Sequence, residues 1–494
     1  MQNTISARAR RASTLLSLLI GAAWAMGAQD GGQSLVLTVS PDLKYDSQAK
    51  YPASFDLDAR LFYGSPYFDF VGELSGHNDG KYGAELVDLG NGKFGTIYAY
   101  IDEAGVVLHG KGLRLSAGRF RSHDEVDSPY SLFINSTGLT AMSGDLLYDD
   151  GRIFVESRWI GLENASSATT PTWTAMAAQG GSGYFPDRGA NYKVFGMRFG
   201  EFSFGYQDSI VYQGRYFDVE YLALPLPSYF IQYVRNTGGR PWQSYSGSSF
   251  NDNTMMGGFV SWKRPGVFEA NAQVLIDDVG ILGDTNPNKI ALEAGGRMES
   301  ELGSFGLYAA MATKFTFEPS IGNEADGNTY YPDVIYENDW STTTPSYQAF
   351  ALEDNAIGYK YGENNLAVQA DWRGSLVGLG LRALGEFRLA GSNSPANAWG
   401  DLTSRPVGTK WLDDPVLEKR FLAQVDASRS FGDLTLLLSV MGGLAFDALE
   451  LRGPIGSYSS SQVIDSTAEI WAPVAGNTQF FGRIVFGGKY RLGL

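Results

Sequence analysis

The last nine residues of the chain constrain it most. Phe486, Tyr490, Leu492 and Leu494 alternate with Gly487, Lys489, Arg491 and Gly493, and only Gly488 interrupts the apolar series. Successive side chains of a strand point to opposite faces. The cationic set cannot face hydrocarbon and the aromatic set gains by doing so, which gives a strand with lipid on one side and water on the other. Beyond the first thirty residues no apolar run reaches the ~20 residues of a spanning helix. Only helices and closed barrels satisfy their backbone in lipid, so a membrane form of this chain has to be a barrel.

The same stretch resembles the C-terminal assembly signal of bacterial outer-membrane barrels, carried by Phe486, Tyr490, Leu492 and Leu494, although that family usually ends in Phe. The resemblance implies the outer-membrane barrel assembly machinery as a partner. At the other end, Arg8, Arg10 and Arg11 precede an apolar run from Ala12 to about Gly27, and Ala23-Trp24-Ala25 supplies small residues at signal-peptidase spacing. The expected organisation is a signal peptide over 1–25, cleaved after Ala25 or Ala28, then a single barrel domain over 26–494 in the outer membrane. With no cysteine there is no lipobox, disulfide or zinc-thiolate site.

Composition supports this class. Setting aside the three leader arginines leaves 35 basic against 54 acidic residues, a net charge of −19, which argues against nucleic acid as a partner. Charged residues make up 19% of the chain against the ~25% of soluble domains. Its 61 glycines, 27 tyrosines and 29 phenylalanines suit aromatic girdles and closely packed tilted strands.

Strand and turn signals recur along the chain. A first strand over 34–40 ends at Pro41-Asp42. Phe55, Leu57, Ala59, Leu61 and Tyr63 alternate with Asp56, Asp58, Arg60 and Phe62 before a turn at Gly64-Ser65-Pro66. Asn91-Gly92 and Asp149-Asp150-Gly151 are tight-turn sequences, and in the arm after the second of these only Phe154 breaks the polar face of Arg152, Glu156 and Arg158. Phe195, Met197 and Phe199 face Phe202, Phe204 and Tyr206 across Gly200-Glu201. Leu366 to Trp372 turns at Arg373-Gly374-Ser375 into 377–389, and Phe431-Gly432-Asp433 makes the last clear hairpin. The irregular runs 164–190, 238–253, 320–345 and 391–417 read as long extracellular loops. The expected fold is an all-β, antiparallel transmembrane outer-membrane β-barrel of roughly 16–18 strands, a size that encloses an aqueous lumen unless loops fill it. Outside the leader no helix with a convincing cap is evident.

Residues 216–227, the Asn251-Asp252-Asn253 opening, the Arg264-Pro265-Gly266 turn and the strand closing in Asp277-Asp278 together resemble the Wzi-type capsule-assembly barrels, over about sixty residues. That resemblance implies an outer-membrane barrel of about eighteen strands concerned with the attachment or assembly of surface polysaccharide.

Catalytic motifs are absent: there is no H-E-x-x-H, P-loop, G-x-S-x-G or dinucleotide fingerprint. His77, His109 and His123 are far apart in sequence. Ser122-His123-Asp124-Glu125 contains the residue types of a triad, but adjacent residues point apart, and the cluster reads as a hydrated turn. Asp277-Asp278 and Asp413-Asp414 read as solvated loop edges. Glu324, Asp326, Asn328, Asp333, Glu337 and Asp339 could hold calcium, although their spacing matches no EF-hand; no metal or cofactor is assigned.

Aromatic residues in the loops offer ring faces to sugars. Trp242, Tyr245, Trp340, Trp399 and Trp411, with Asp277 and Asp278, are the ligand-binding candidates, set against a membrane-interface girdle. Asp56, Asp58, Arg60, Arg198, Arg382, Glu386 and Arg388 are the lumen-lining candidates, the arginines standing opposite the acids. Three readings stay open. The first is a non-enzymatic barrel in surface polysaccharide attachment or assembly, the second a porin or solute channel, and the third a barrel hydrolase. Partners expected with any of them are outer-membrane lipid and lipopolysaccharide-like lipid.

Overall fold

The computed structural model describes residues 34–48, 52–78, 98–126, 128–136, 138, 140–163, 187–236, 252–279, 287–317, 334–337, 346–349, 357–393, 408–452 and 470–493. Eighteen antiparallel strands close into a barrel. They are β1 Ser34–Asp46, β2 Ala53–Gly64, β3 Phe68–His77, β4 Tyr98–His109, β5 Leu113–Phe120, β6 Ala141–Asp149, β7 Ile153–Glu163, β8 Arg188–Phe199 and β9 Phe202–Gln213. The second half comprises β10 Asn253–Arg264, β11 Phe268–Asp278, β12 Pro287–Ser300, β13 Gly303–Ala312, β14 Asn365–Leu376, β15 Leu379–Ala390, β16 Glu418–Phe431, β17 Leu434–Phe446 and β18 Gln479–Tyr490. Each strand pairs with the next, and β18 returns to β1 through Asp42↔Lys489 and Tyr45↔Phe486. The expected strand range is met at its upper end.

Around most of the ring the outward face of the strands is apolar and exposed. Phe55 and Leu57, Phe199 and Phe202, and Phe480, Ile484, Phe486 and Tyr490 all lie on it. Tight turns sit at the barrel end that also holds Ser34 and Tyr490, and the long connections sit at the other, the arrangement in which short turns are periplasmic and long loops extracellular.

Four details differ from the sequence reading. Strand β1 runs through Pro41, because Pro41 falls opposite the interruption between Tyr490 and Leu492, where its missing N–H leaves no ladder bond unmade. The β14–β15 hairpin turns at Val377-Gly378 and not at 373–375, so Arg373 pairs with Arg382 within the ladder. A short hairpin, Val334–Glu337 with Ser346–Ala349, lies partly within the run read as irregular. Residues 214–236 form two helices, α1 Val219–Ala223 and α2 Ser228–Asn236, with Asp218 capping α1 by accepting from the Glu220 and Tyr221 amides. The leader, Asn91-Gly92 and Leu494 lie outside the described residues.

The Val377-Gly378 turn has φ +51° and +76°, the pair a type I′ hairpin demands. A β-branched residue pays strain there, and Val377 is 87% exposed, so no packing compensates. Val377→Asn should stabilise the barrel by about 1 kcal/mol, read as a higher temperature for loss of the compact, heat-modifiable form on gels.

Candidate functional site

The described residues of 121–140, between β5 and β6, do not extend outward. They fold into the barrel and pack Val126, Tyr130, Leu132, Phe133 and Ile134 against the inner faces of β7 to β14. Small inward residues on those strands, including Ala190, Ala291, Ala310, Ala312 and Ala367, leave the space these rings occupy. Phe154, the residue that broke the polar pattern of β7, points inward too and packs on Phe259 at 6.3 Å, with the Arg198 guanidinium over its ring.

Asp124 organises the loop. Its carboxylate accepts from the backbone amides of Val126, Phe133 and Ile134 at 3.2–3.4 Å and from Gln273 Nε2 at 2.9 Å. Gln273 Oε1 accepts in turn from the Leu132 amide at 2.8 Å, fastening the loop to β11. Burial raises the Asp124 pKa above its ordinary value, although these donors oppose the rise. The expectation of a hydrated turn is therefore corrected: Ser122 and Asp124 are buried, His123 Nδ1 lies 3.2 Å from the Asp124 carbonyl oxygen, and the four adjacent residues form a structural corner.

A second segment, 357–364, meets the first inside the lumen. Ile357 forms a β-bridge with Ile134, and the Gly358 amide donates to the Phe133 carbonyl at 2.9 Å. Tyr130, Tyr359 and Tyr361 cluster with centroids 5.9–6.2 Å apart. Glu386 of β15 accepts from Tyr130 Oη at 2.8 Å, from Tyr361 Oη and from Lys360 Nζ at 3.5 Å. One carboxylate thereby ties both segments to the wall.

The remaining inner wall, from β15 through β18 to β5, is charged and more open. Lys44 and His77 Nδ1 hold Asp56, and Lys489 Nζ reaches Asp58 at 3.0 Å. Arg60 lies 3.7 Å from Glu73 and 3.8 Å from Glu103. Arg483 grips Asp46, Arg388 pairs with Glu418 at 2.5 Å, and Arg382 lies 3.9 Å from Asp426. The side chains of Arg60, Arg483 and Lys489 are 50%, 48% and 44% exposed, against 7% for Arg158 on the filled side. All seven lumen-lining candidates face inward, but the expected partners change: the ion pairs of these arginines go to Glu73, Glu103, Asp149, Asp426 and Glu418 in place of Asp56, Asp58 and Glu386. Arg198 sits near the turns against Asp149 at 2.6 Å.

Of the ligand-binding candidates, Trp411, Asp277 and Asp278 fall among the described residues. Trp242, Tyr245, Trp340 and Trp399 lie outside the described residues. Trp411 Nε1 donates to the Asn365 carbonyl at 3.1 Å. Asp277 is buried 3.6 Å from Lys289 Nζ, and Asp414 accepts from Ser392 and Asn364, so neither is the solvated loop edge expected. Glu324, Asp326, Asn328, Asp333 and Asp339 also lie outside the described residues, and Glu337 is described by its backbone alone. Among the described residues no three His, Asp or Glu side chains are grouped to hold a metal ion.

Fold and wall chemistry define the class: an integral β-barrel of the outer-membrane type, apolar outside and charged inside. It is similar to the Escherichia coli protein Wzi, described as an outer-membrane carbohydrate-binding β-barrel involved in group 1 capsule assembly, with 10% identity over 92% of this chain and 83% of that one and a TM-score of 0.49. It is also similar to the Pseudomonas aeruginosa proteins OccD3, at 11% identity over 95% and 93% with a TM-score of 0.45, and OpdK, at 10% over 93% and 99% with 0.46. No protein-family model and no curated protein matches the chain. At such identities the likeness concerns the barrel and carries no ligand or role with it.

Asp414 also gives a pH test. Burial alone would raise its pKa, but Ser392, Lys314 and Asn364 outweigh that and hold it below its ordinary value. A carboxylate lowered in the folded state stabilises above its unfolded pKa and loses that contribution as pH falls through the folded one. Acidification below about pH 4 should lower the hydrogen-exchange protection factor, relative to the intrinsic rate at each pH, of the Leu412 amide, which donates to Asn364. Asp414→Asn should remove that pH dependence.

Proposed function

We propose that the chain is a non-enzymatic solute channel for small polar or charged molecules, with residues 121–140 and 357–364 narrowing the lumen to its charged side. The observation that carries this reading is the asymmetry of exposure. Inward charges on β15 to β18 and β1 to β5 are up to half exposed, while the wall opposite is covered by the loop. Half-exposed side chains on an inner wall imply water beside them, and paired charges of both signs suit solutes that shed hydration only in part. The reading in surface polysaccharide attachment or assembly draws on the sequence resemblance. Four of its five aromatic candidates lie outside the described residues, and the fifth, Trp411, already donates its N–H to backbone.

Single-channel recording in a planar bilayer tests the reading. The expected result is steady, ohmic conductance. Absence of conductance from a barrel that migrates in the compact form overturns the channel and favours the polysaccharide role. Asp124→Ala removes the acceptor of four hydrogen bonds, each worth about 1 kcal/mol. It should release the loop and raise conductance at least twofold. Glu386→Gln, which keeps the shape and weakens the tie to Lys360, should give a flickering intermediate level.

A further inference from the structure

Lys193 of β8 and Asp208 of β9 face each other across the ladder, on the outward side shared with Phe195, Met197 and Phe204. Lys193 lies six residues above Phe199 at the turn. At about 2.5 Å of height per residue in a strand tilted by ~40°, that is about 15 Å up the wall. On β17 the outward series Leu436, Leu438, Val440, Leu444 and Phe446 stays apolar and exposed to twelve residues above its turn, a height of about 30 Å on the same arithmetic. Lys193 and Asp208 thus stand at a level where the outward face of β17 is apolar and exposed, yet they are 1% and 0% exposed. Residues 214–236 cover them.

The cover is fitted to the wall. Lys193 Nζ donates to the Leu224 and Leu226 carbonyls at 2.7 and 2.8 Å, Ser157 Oγ to that of Leu222 at 2.7 Å, and Trp159 Nε1 to that of Tyr216 at 2.8 Å. Asp208 accepts from the Ser228 amide at 2.7 Å and from Tyr206 Oη at 3.0 Å. Gly161 and Gly189 pair on the outer face, and a Cβ at either would strike Tyr216. Arg215, Asp218, Tyr221, Arg235 and Asp252 close a charged box between the helices and the wall. On the far side Val219, Leu226 and Phe230 are 51–60% exposed. Directly beneath, with Tyr206 at its corner, the outer wall is notched: Gly258, Ala272, Ala294 and Ala309 floor an apolar groove of about 890 Å³ between Phe204 and Leu366.

We infer that residues 214–236 are a collar embedded in the outer leaflet, and that collar and notch together seat the acyl chains of an outer-leaflet lipid. Three observations commit the surface to acyl chains. Its height matches the apolar band on β17, the collar turns its ionic box toward the wall, and the notch continues the lipid-facing side of the barrel. A loop in water would have the opposite arrangement of charge and apolar surface.

The chain contains no cysteine, so a single Phe230→Cys carries one fluorescent label, with Val377→Cys as the water-exposed reference. In liposomes of lipids brominated on their acyl chains, the label at 230 is expected to be quenched by bromine and to resist iodide at least fivefold better than the label at 377. Iodide quenching equal to the reference overturns the collar in lipid. Protection from both quenchers, with barrel-to-barrel cross-linking through the thiol introduced by Phe230→Cys, also overturns it, placing a second copy on that face. Val219→Cys repeats the measurement should the first variant fail to reach the compact form. Ala294→Phe fills the notch. Native mass spectrometry from mild detergent should then show lipid adducts at less than a third of the wild-type level, and undiminished adducts overturn the notch as a lipid seat.

Discussion

In hydrocarbon no water is present to bond an open backbone amide, and each unmade bond costs several kcal/mol. The rest of this architecture depends on that constraint. It requires the sheet to close, and β1 meets β18 with Pro41 placed where the last strand is already interrupted. It also dictates what closes the seam beside the ladder: Arg483 binds both carboxylate oxygens of Asp46 from Nε at 3.0 Å on the water side, while Tyr45 and Phe486 meet on the lipid side. The same constraint applies to side chains. A lysine and an aspartate on the outer wall need partners that lipid cannot supply, and the Leu224 and Leu226 carbonyls and the Ser228 amide provide them.

Inside, the problem is inverted. An eighteen-stranded ring encloses more volume than its own inward side chains fill. The described residues divide that volume into a packed half and a wet half. Alanines on β8, β12, β13 and β14 reduce the wall so that Tyr130, Leu132, Phe133 and Ile134 can pack as a core, and Asp124 satisfies the amides such a buried loop would otherwise strand. On the opposite wall acids such as Asp46 and Asp58 are paired by Arg483 and Lys489, and these cations, with Arg60, keep access to solvent. The two halves meet at Glu386, which is polar enough for one and buried enough for the other.

The barrel was legible in sequence because lipid and water impose opposite demands at every second residue. Phe55 to Tyr63, Phe195 to Phe199 and the final strand carry that alternation openly, and even Phe154, which broke it, marked the wall where a loop would pack. The helices at 219–236 were not legible: α1 is a single turn, and its apolar and ionic residues are sorted by a wall that lies elsewhere in sequence. The inward fold of 121–140 left little trace for the same reason. Its polar Ser-His-Asp-Glu start resembles an exposed turn until Gln273, some 150 positions on, is known to receive it. Lumen residues were recognisable by face but not by partner, since alternation fixes direction while tilt and register choose which charges meet.

The pairing of β1 with β18 has a kinetic consequence. Asp46 and Arg483 are separated by 437 positions, and the entropy of bringing such distant segments together is lost before their contacts form. Every other pairing in the ring joins strands that are neighbours in sequence, so hairpins can form locally while the first and last strands remain open edges. Those edges are the part of the molecule most prone to pair with another chain. An outside agent that holds β18 until β1 arrives would shorten the dangerous interval, and an aromatic, outward-facing final strand is a surface such an agent could grip.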